Sequence, residues 1–595
     1  MSNKFLTYLF IVAVIIIGVY LTVKATNENS WDGWGIGSTQ TMLNIKYWVT
    51  DGWAKHYFLH IPAGYSKTAV YFDNPELRQH AWVDVTGNPN QKRIYYTHFP
   101  PGYLFPLAFL MELGVKNRFW FRLFQILISL TSLLLLYKFL NLIANPTIAF
   151  ASSLFYAFSV PFLNFADSLA NLPIDDLLRI AILALSILAI KQSKKENVIP
   201  ARFAIAAARR AEAGIHDAGS RVKHGMTPKF YLGVIWFLYL ILSFSSYDST
   251  FFVFIWLVGL NIVTRWHLLK KGAEPRIKWL KTILVQGLFF ASAPILAFGL
   301  QIIQNSWYLG FSGMISDFLS AFNKIGLSAG EGQGFIQTHF LQGILFPITE
   351  AFAFPFRARY LIIFIIAIIA LLFVIQKNKK INELIPFLKN YLFLLGVAAF
   401  SQTFIILDNH PYKGRVLGLF ASLLIGIFIF LIIQLRQTKI KLTLKFFIYP
   451  LIILLTIFML FLQTKRTIAY IEQWPNNIYD QKRIEFAKEL KRAILPFNLQ
   501  DVVIFSMLPP QSYNNGSITS IMATYYDMYY QDAPILYFND TESMDRDFTY
   551  LKRISKYPFS ALIILEDKNQ VDNLFKSMKK TLLLVQDKYI LLISP

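Results

Sequence analysis

The chain has no cysteine among its 595 residues. Disulfides, thiolate metal sites and a cysteine nucleophile are therefore excluded. Charge is sparse, at 15% of residues, and acids are the scarcer kind: 35 Asp and Glu against 57 Lys and Arg. Residues 466–595 contain no Gly-rich phosphate loop, so no nucleotide site is expected there. No repeat of solenoid type is visible.

What the chain has in abundance is apolar surface, with 55% hydrophobic residues and a mean hydropathy of +0.44. Apolar runs of helix-spanning character recur at 5–23, 119–136, 147–165, 177–190, 230–244, 251–263, 282–302, 360–375, 391–407, 416–433 and 446–462. They predict a polytopic α-helical membrane protein with about eleven transmembrane helices, some short. The first run follows a single Lys4 and lacks a small-residue cleavage site, so it reads as a retained anchor. A net charge of +22 would suggest nucleic acid in a soluble protein. Here it reads as the Lys and Arg excess of cytoplasmic loops, and no nucleic-acid partner is expected.

Charge also sets the orientation. Loop 191–229 carries nine basic residues against three acids; 265–281 reads RWHLLKKGAEPRIKWLK, 376–383 QKNKKINE and 436–445 RQTKIKLTLK. All four fall on the cytoplasmic side with the N-terminus only if the short apolar stretch 103–113 does not cross. Residues 100–114 are therefore expected to form a juxtamembrane or re-entrant helix, with Pro101 near its start. The outer side then receives the first loop 24–118, the second loop 164–175 and everything after Lys465. The expected location is the plasma or inner membrane, with a transmembrane domain at 1–465 and an extracytoplasmic α/β domain at 466–595. In that domain, strands at 502–506, 535–538 and 561–565 alternate with helices at 518–530, 546–556 and 570–580, before a hairpin at 581–593. The Ala- and Arg-rich segment 199–226 reads as a basic helix at the cytoplasmic surface.

Several outer residues are candidates for chemistry. Asp32 lies between Trp31 and Trp34, just beyond the first helix. A desolvated carboxylate there suits a general base, and equally a turn aspartate between interfacial anchors. The second loop offers Asp167, then Asp175 and Asp176 behind Pro173 at a helix start. Those two carboxylates suit capping, or the orientation of an acceptor or a divalent cation. Mg²⁺ or Mn²⁺ is left open as a cofactor because both take oxygen ligands. Basic groups on this side oppose the charge trend: Arg118 and Arg122 at the second span, and His410, Lys413 and Arg415 in DNHPYKGR. They suit either phosphate binding or snorkelling to lipid head groups.

Together, Asp32, the His98-Phe99-Pro100-Pro101-Gly102 turn, Trp120-Phe121-Arg122-Leu123 and 173–178 resemble the GT-C superfamily of polyprenyl-phosphate-sugar-dependent glycosyltransferases. The nearest branch is that of protein O-mannosyltransferases and lipid A aminoarabinose transferases. Gly102 stands where that family usually has Leu, and a single Asp32 followed by Gly33 replaces an acidic pair. The resemblance implies inverting transfer from a lipid-linked sugar to a hydroxyl of a lipid, glycan or protein. It assigns Asp32 as general base and His98, Arg122, His410, Lys413 and Arg415 to the donor phosphate. A transporter or flippase, or a membrane assembly scaffold, are the competing readings; few charges lie within the spans and a transporter leaves the long first loop and the tail unexplained, while the tail would suit a scaffold.

The scheme predicts that a reporter fused at Lys195 reads as cytoplasmic. An extracytoplasmic signal there would invert every assignment above.

Overall fold

The computed structural model describes residues 3–27, 31, 32, 35–61, 95, 97, 99–212, 228–270, 275–324, 368, 369, 372, 384–405, 414–435, 454, 457, 461, 464, 465, 467–469, 475–499, 501–506, 529–533, 535–537, 541–554, 558–565 and 580–593. The protein is a polytopic helical membrane protein with a small C-terminal sheet. Helix α1 (Asn3–Thr26) has 24 residues, about 36 Å of length against a hydrocarbon core of about 30 Å. It buries Leu6, Phe10, Val14, Ile17 and Leu21 along one stripe and exposes Tyr8, Val12, Ile15 and Val19 on the other. A helix apolar on both faces is matched to lipid rather than to water.

Helix α2 (Gly35–Asp51) occupies the first loop. The sequence reads there only as polar loop, because α2 is not amphipathic enough to show a period. Helix α3 (Leu104–Glu112) has nine residues, about 14 Å, which is too short to cross. The expectation of a non-spanning helix after the proline turn is met, with a later start. Helix α4 (Arg118–Ile143) is capped by the Asn117 side chain, which accepts from the Phe119 amide. Helix α5 (Pro146–Ala157) has Asn145 as its cap and Pro at its first turn.

The apolar run 147–165 was expected as one span. It breaks instead after Ala157, and a single turn, α6 (Val160–Leu163), follows. Pro161 is the cause: its ring clashes with the carbonyl four residues back, and it has no N–H to give. Helix α7 (Leu172–Glu212) runs unbroken for 41 residues, so the span and the start of the basic segment are one helix.

Then come α8 (Pro228–Ser243), α9 (Tyr247–Lys270) and α10 (Arg276–Lys324). Helix α10 bends at Gly310, where φ is 70°, a backbone state that costs glycine nothing. Helices α11 (Phe393–Ile405), preceded by a π-helical turn at Phe387–Leu392, and α12 (Gly414–Leu435) follow. Among the described residues four stretches are long and apolar enough to cross, Lys4–Thr26, Arg118–Ile143, Ser249–Trp266 and Arg276–Leu319, and three apolar helices are shorter. Most of the expected spans 360–375 and 446–462 lies outside the described residues.

The C-terminal part begins with α13 (Pro475–Ile494), an element the sequence reading lacks. Its sheet has the order β2-β1-β3-β5-β4. Strand β1 (Val502–Ser506) pairs in parallel with β2 (Ile535–Tyr537) and β3 (Ser560–Leu565). Strands β4 (Lys580–Val585) and β5 (Lys588–Ile593) form the expected hairpin, with β5 antiparallel to β3. Helix α14 (Thr541–Ile554) lies between β2 and β3 and starts earlier than expected. The expected helices 518–530 and 570–580 lie almost wholly outside the described residues.

The proline turn is fixed by contact with the α8–α9 connection. The Gly102 N–H donates to the Phe244 carbonyl at 2.8 Å. A Cβ on Gly102 would stand 2.4 Å from that same oxygen. Glycine is needed here because backbone meets backbone. Gly102→Ala is expected to cost about 1–3 kcal/mol by overpacking, read as a lower melting temperature in detergent. Unchanged melting would show that the two segments part easily.

Candidate functional site

The last turn of α1, the first turns of α4, α7 and α12, the end of α5 and the α8–α9 connection meet at one end of the bundle. Three buried arrangements of charge and polarity stand there.

The first is centred on Asp167, which is fully buried in the second loop. Lys24 Nζ, from the last turn of α1, reaches its carboxylate at 2.9 Å. Arg122 Nε, from α4, donates to the other oxygen at 3.1 Å, and its terminal nitrogen pairs with the same oxygen. Arg122 also donates to the Ala25 carbonyl at 3.3 Å, and Lys24 to the Asn164 carbonyl at 3.3 Å. Three elements are thus tied by one carboxylate. Burial by itself would raise the Asp167 pKa; Lys24 and Arg122 more than offset it and hold it below the usual carboxylate range.

The second is centred on Asp176, where it pairs with Arg179 one turn on and with Arg415 of α12 at 2.6 Å. The Tyr156 hydroxyl of α5 donates to it at 3.1 Å. Arg179 continues to Ser249 Oγ at 3.2 Å, and Arg415 to the Phe165 carbonyl at 3.4 Å. Asp176 therefore joins α5, α7 and α12 through side chains.

The third is a polar path built on α2. Asp32 is buried, and the Ser38 hydroxyl donates to it. Ser38 Oγ in turn accepts from the Leu169 amide at 3.0 Å, which binds the second loop to the first. One turn along, Thr41 hydrogen-bonds the Tyr103 phenol, whose pKa is raised by burial and further by the charge of Asp175. Asp175 accepts from Asn171 Nδ2 at 2.8 Å. Positions 38 and 41 share a helix face, so α2 aligns Asp32 with Tyr103 and Asp175. The adjacent aspartates separate because successive helical residues point about 100° apart: Asp175 is turned toward Tyr103 and α2, Asp176 toward α5 and α12.

The turn carrying the Pro-Pro-Gly sequence is held from two sides. The His60 imidazole hydrogen-bonds the Pro100 backbone, and burial lowers its pKa to about 4, so it is neutral at pH 7. Thr97 Oγ1 donates to Asp317 of α10 at 2.6 Å, and Gln301 and Asn305 each donate to the Thr97 carbonyl at 3.0 Å. The bend at Gly310 lets both halves of α10 meet this one residue.

Of the residues singled out in the sequence, Asp32, Asp167, Asp175, Asp176, Arg122 and Arg415 come to the same end of the bundle. His98, His410 and Lys413 lie outside the described residues. Arg122 and Arg415 were expected at a donor phosphate. Their guanidinium groups are buried against carboxylates, Arg122 on Asp167 and Arg415 on Asp176. Side chains from three helices take the Asp176 carboxylate. The sequence reading missed Lys24, Ser38, Thr41, Tyr103, His60, Arg179 and Asp317. Lys24 carries the signal that drew attention to Arg122, a cation at the wrong end of a span. Arg179 stands one helical turn from Asp176.

A divalent cation fits this donor set poorly. Asp167 and Asp176 are already neutralised by Lys and Arg, and among the described residues no group of three or more His, Asp or Glu is placed to hold a metal.

Replacing Asp167 by Asn is expected to cost about 3–5 kcal/mol, since Lys24 and Arg122 remain buried without a counter-charge. Because its native pKa is depressed, the contribution of Asp167 is complete above the unfolded value near pH 4. It is lost as the pH falls through the lower native value. Thermal melts of the wild type should lose stability across that acidic window, and Asp167→Asn should remove that part of the slope.

The sequence model of the dolichyl-phosphate-mannose-protein mannosyltransferase family matches residues 98–209. No curated protein sequence matches the chain. Among solved structures, the apo oligosaccharyltransferase of Archaeoglobus fulgidus superposes with a TM-score of 0.49 at 11% identity, covering 95% of this chain and 70% of that one. ArnT of Cupriavidus metallidurans bound to undecaprenyl phosphate superposes at 0.48 and 11%, covering 98% and 97%. The matched segment runs from His98 through α3, α4 and the second loop into α7, and so contains Arg122, Asp167, Asp175 and Asp176. Over that segment, the chain carries the pattern of the mannosyltransferase family.

Proposed function

We propose that the protein transfers a sugar from a polyprenyl-phosphate-linked donor to an acceptor hydroxyl at the extracytoplasmic face of the membrane. The observation that carries this reading is the position of Asp32. It is a buried carboxylate just beyond α1, held by Ser38 and tied through Leu169 to the very segment that matches the mannosyltransferase family. A site at one end of a bundle of apolar helices suits a donor whose phosphate is anchored in the bilayer.

In the reaction, the acceptor oxygen attacks the anomeric carbon as the bond from that carbon to the phosphate oxygen breaks. The acceptor proton passes to Asp32. The lipid phosphate leaves with one more negative charge than it had in the diester, and the anomeric configuration inverts. A basic neighbourhood stabilises the departing phosphate. His98, His410 and Lys413 are the basic groups for that task, because Arg122 and Arg415 are committed to carboxylates. Asp175, with Tyr103 beside it, is placed to orient the acceptor. Asp167 and Asp176 hold the second loop in position. Nothing in the scheme calls for a metal.

Asp32→Asn is expected to remove sugar transfer while expression and melting stay near wild type; retained turnover would dismiss Asp32 as the base. A polyprenyl-phosphate sugar at about a hundred times its Kd should stabilise the protein by about 2.7 kcal/mol. Absence of any thermal shift over a panel of such donors would count against the donor class.

A further inference from the structure

The connection between α1 and α2, where Asp32 lies, is gripped by the C-terminal domain. The described stretch 529–533 stands against α13, with Gln531 Nε2 donating to the Ala487 carbonyl at 2.8 Å. From that support Tyr529 presents its ring to the Trp31 indole, with centroids 5.2 Å apart and planes at 85°. Edge-to-face contact of this kind is the favoured geometry for two aromatic rings. The Arg118 guanidinium lies 4.3 Å from the centre of the same indole, within cation–π range. Trp31 is only 2% exposed as a result.

A second contact, an exposed ion pair, reaches α2. Asp532 adopts a left-handed backbone with φ of 57° and takes Lys46 Nζ at 2.5 Å. Lys46 stands about two turns along α2 from Ser38, the residue that holds the Asp32 carboxylate. The C-terminal segment therefore touches the residue before Asp32 and the helix whose hydroxyl orients it. Asp32 lies outside α1 and α2, so its neighbours must fix its carboxylate.

We infer that the C-terminal domain completes the catalytic site, with Tyr529 acting as a positioning residue on Asp32 through Trp31. This rests on the glycosyltransferase reading above. The domain is then part of the active-site wall rather than an appendage. The ring of Tyr529 matters for the contact and its hydroxyl does not, which separates this role from that of a proton donor.

The test uses the full-length protein in lipid, with turnover of a polyprenyl-phosphate sugar and hydroxyl-radical footprinting of Trp31 by mass spectrometry. Tyr529→Ala is expected to lower kcat about tenfold to a hundredfold, with KM for the donor within about threefold of wild type. Oxidation of Trp31 should rise in the same variant. Tyr529→Phe should restore both kcat and Trp31 protection. Should Tyr529→Ala not fold, Tyr529→Leu keeps the apolar bulk and removes the aromatic edge, and the same loss of kcat is expected. Wild-type kcat in Tyr529→Ala or Tyr529→Leu, with or without greater Trp31 oxidation, overturns the inference alone. A rise in KM with kcat unchanged also overturns it. A wild-type protein that transfers no sugar overturns the transferase reading, and this inference with it.

Discussion

A buried carboxylate must be compensated, and Asp167 is compensated by cations from two different transmembrane helices. Lys24 comes from the end of α1 and Arg122 from the first turn of α4. Neither cation is tolerable at that depth alone, and neither is the carboxylate. The second loop is consequently drawn onto the mouth of the bundle. Its backbone then reaches Ser38 through Leu169, and Ser38 reaches Asp32. The placement of the proposed base descends from an ion cluster that takes no part in the chemistry assigned to it.

Helix α2 is the second organising element. It is an ordinary helix by composition, yet one face of it meets nearly every part of the site. Ser38 holds Asp32, Thr41 holds Tyr103, and the Asn44 side chain accepts from the Ile61 amide. Trp48 Nε1 donates to the Leu59 carbonyl at 3.0 Å. Segment 59–61 is thereby fixed, and His60 within it supports the proline turn at Pro100. A single helix lying across the bundle mouth thus relates the first loop, the proline turn and the second loop.

Much of this was legible in the chain. The apolar runs located α1, α4, α8, α9 and α12, because lipid imposes length and hydropathy directly. The charge of the loops set 103–113 apart from the spans, and α3 proves too short to cross. Out-of-place cations marked Arg122 and Arg415 as worth attention, and both are paired with buried carboxylates. Hydropathy alone reads the run 147–165 as continuous, and the break at Pro161 is seen only in the structure. Helix α2 and α13 went unread because neither is distinguished by an apolar run.

The sequence by itself determined that the protein lies in a membrane, that its acids collect beyond the span ends, and that a strand-and-helix domain follows. Those properties depend on composition and local period, which each segment carries alone. Tertiary structure decided which cations neutralise Asp167 and Asp176, why Gly102 is required, and which face of α7 each of Asp175 and Asp176 takes. It also decided that Tyr529 meets Trp31. Such matters depend on pairs of residues far apart in the chain, and their energies exist only once burial has removed water from between them.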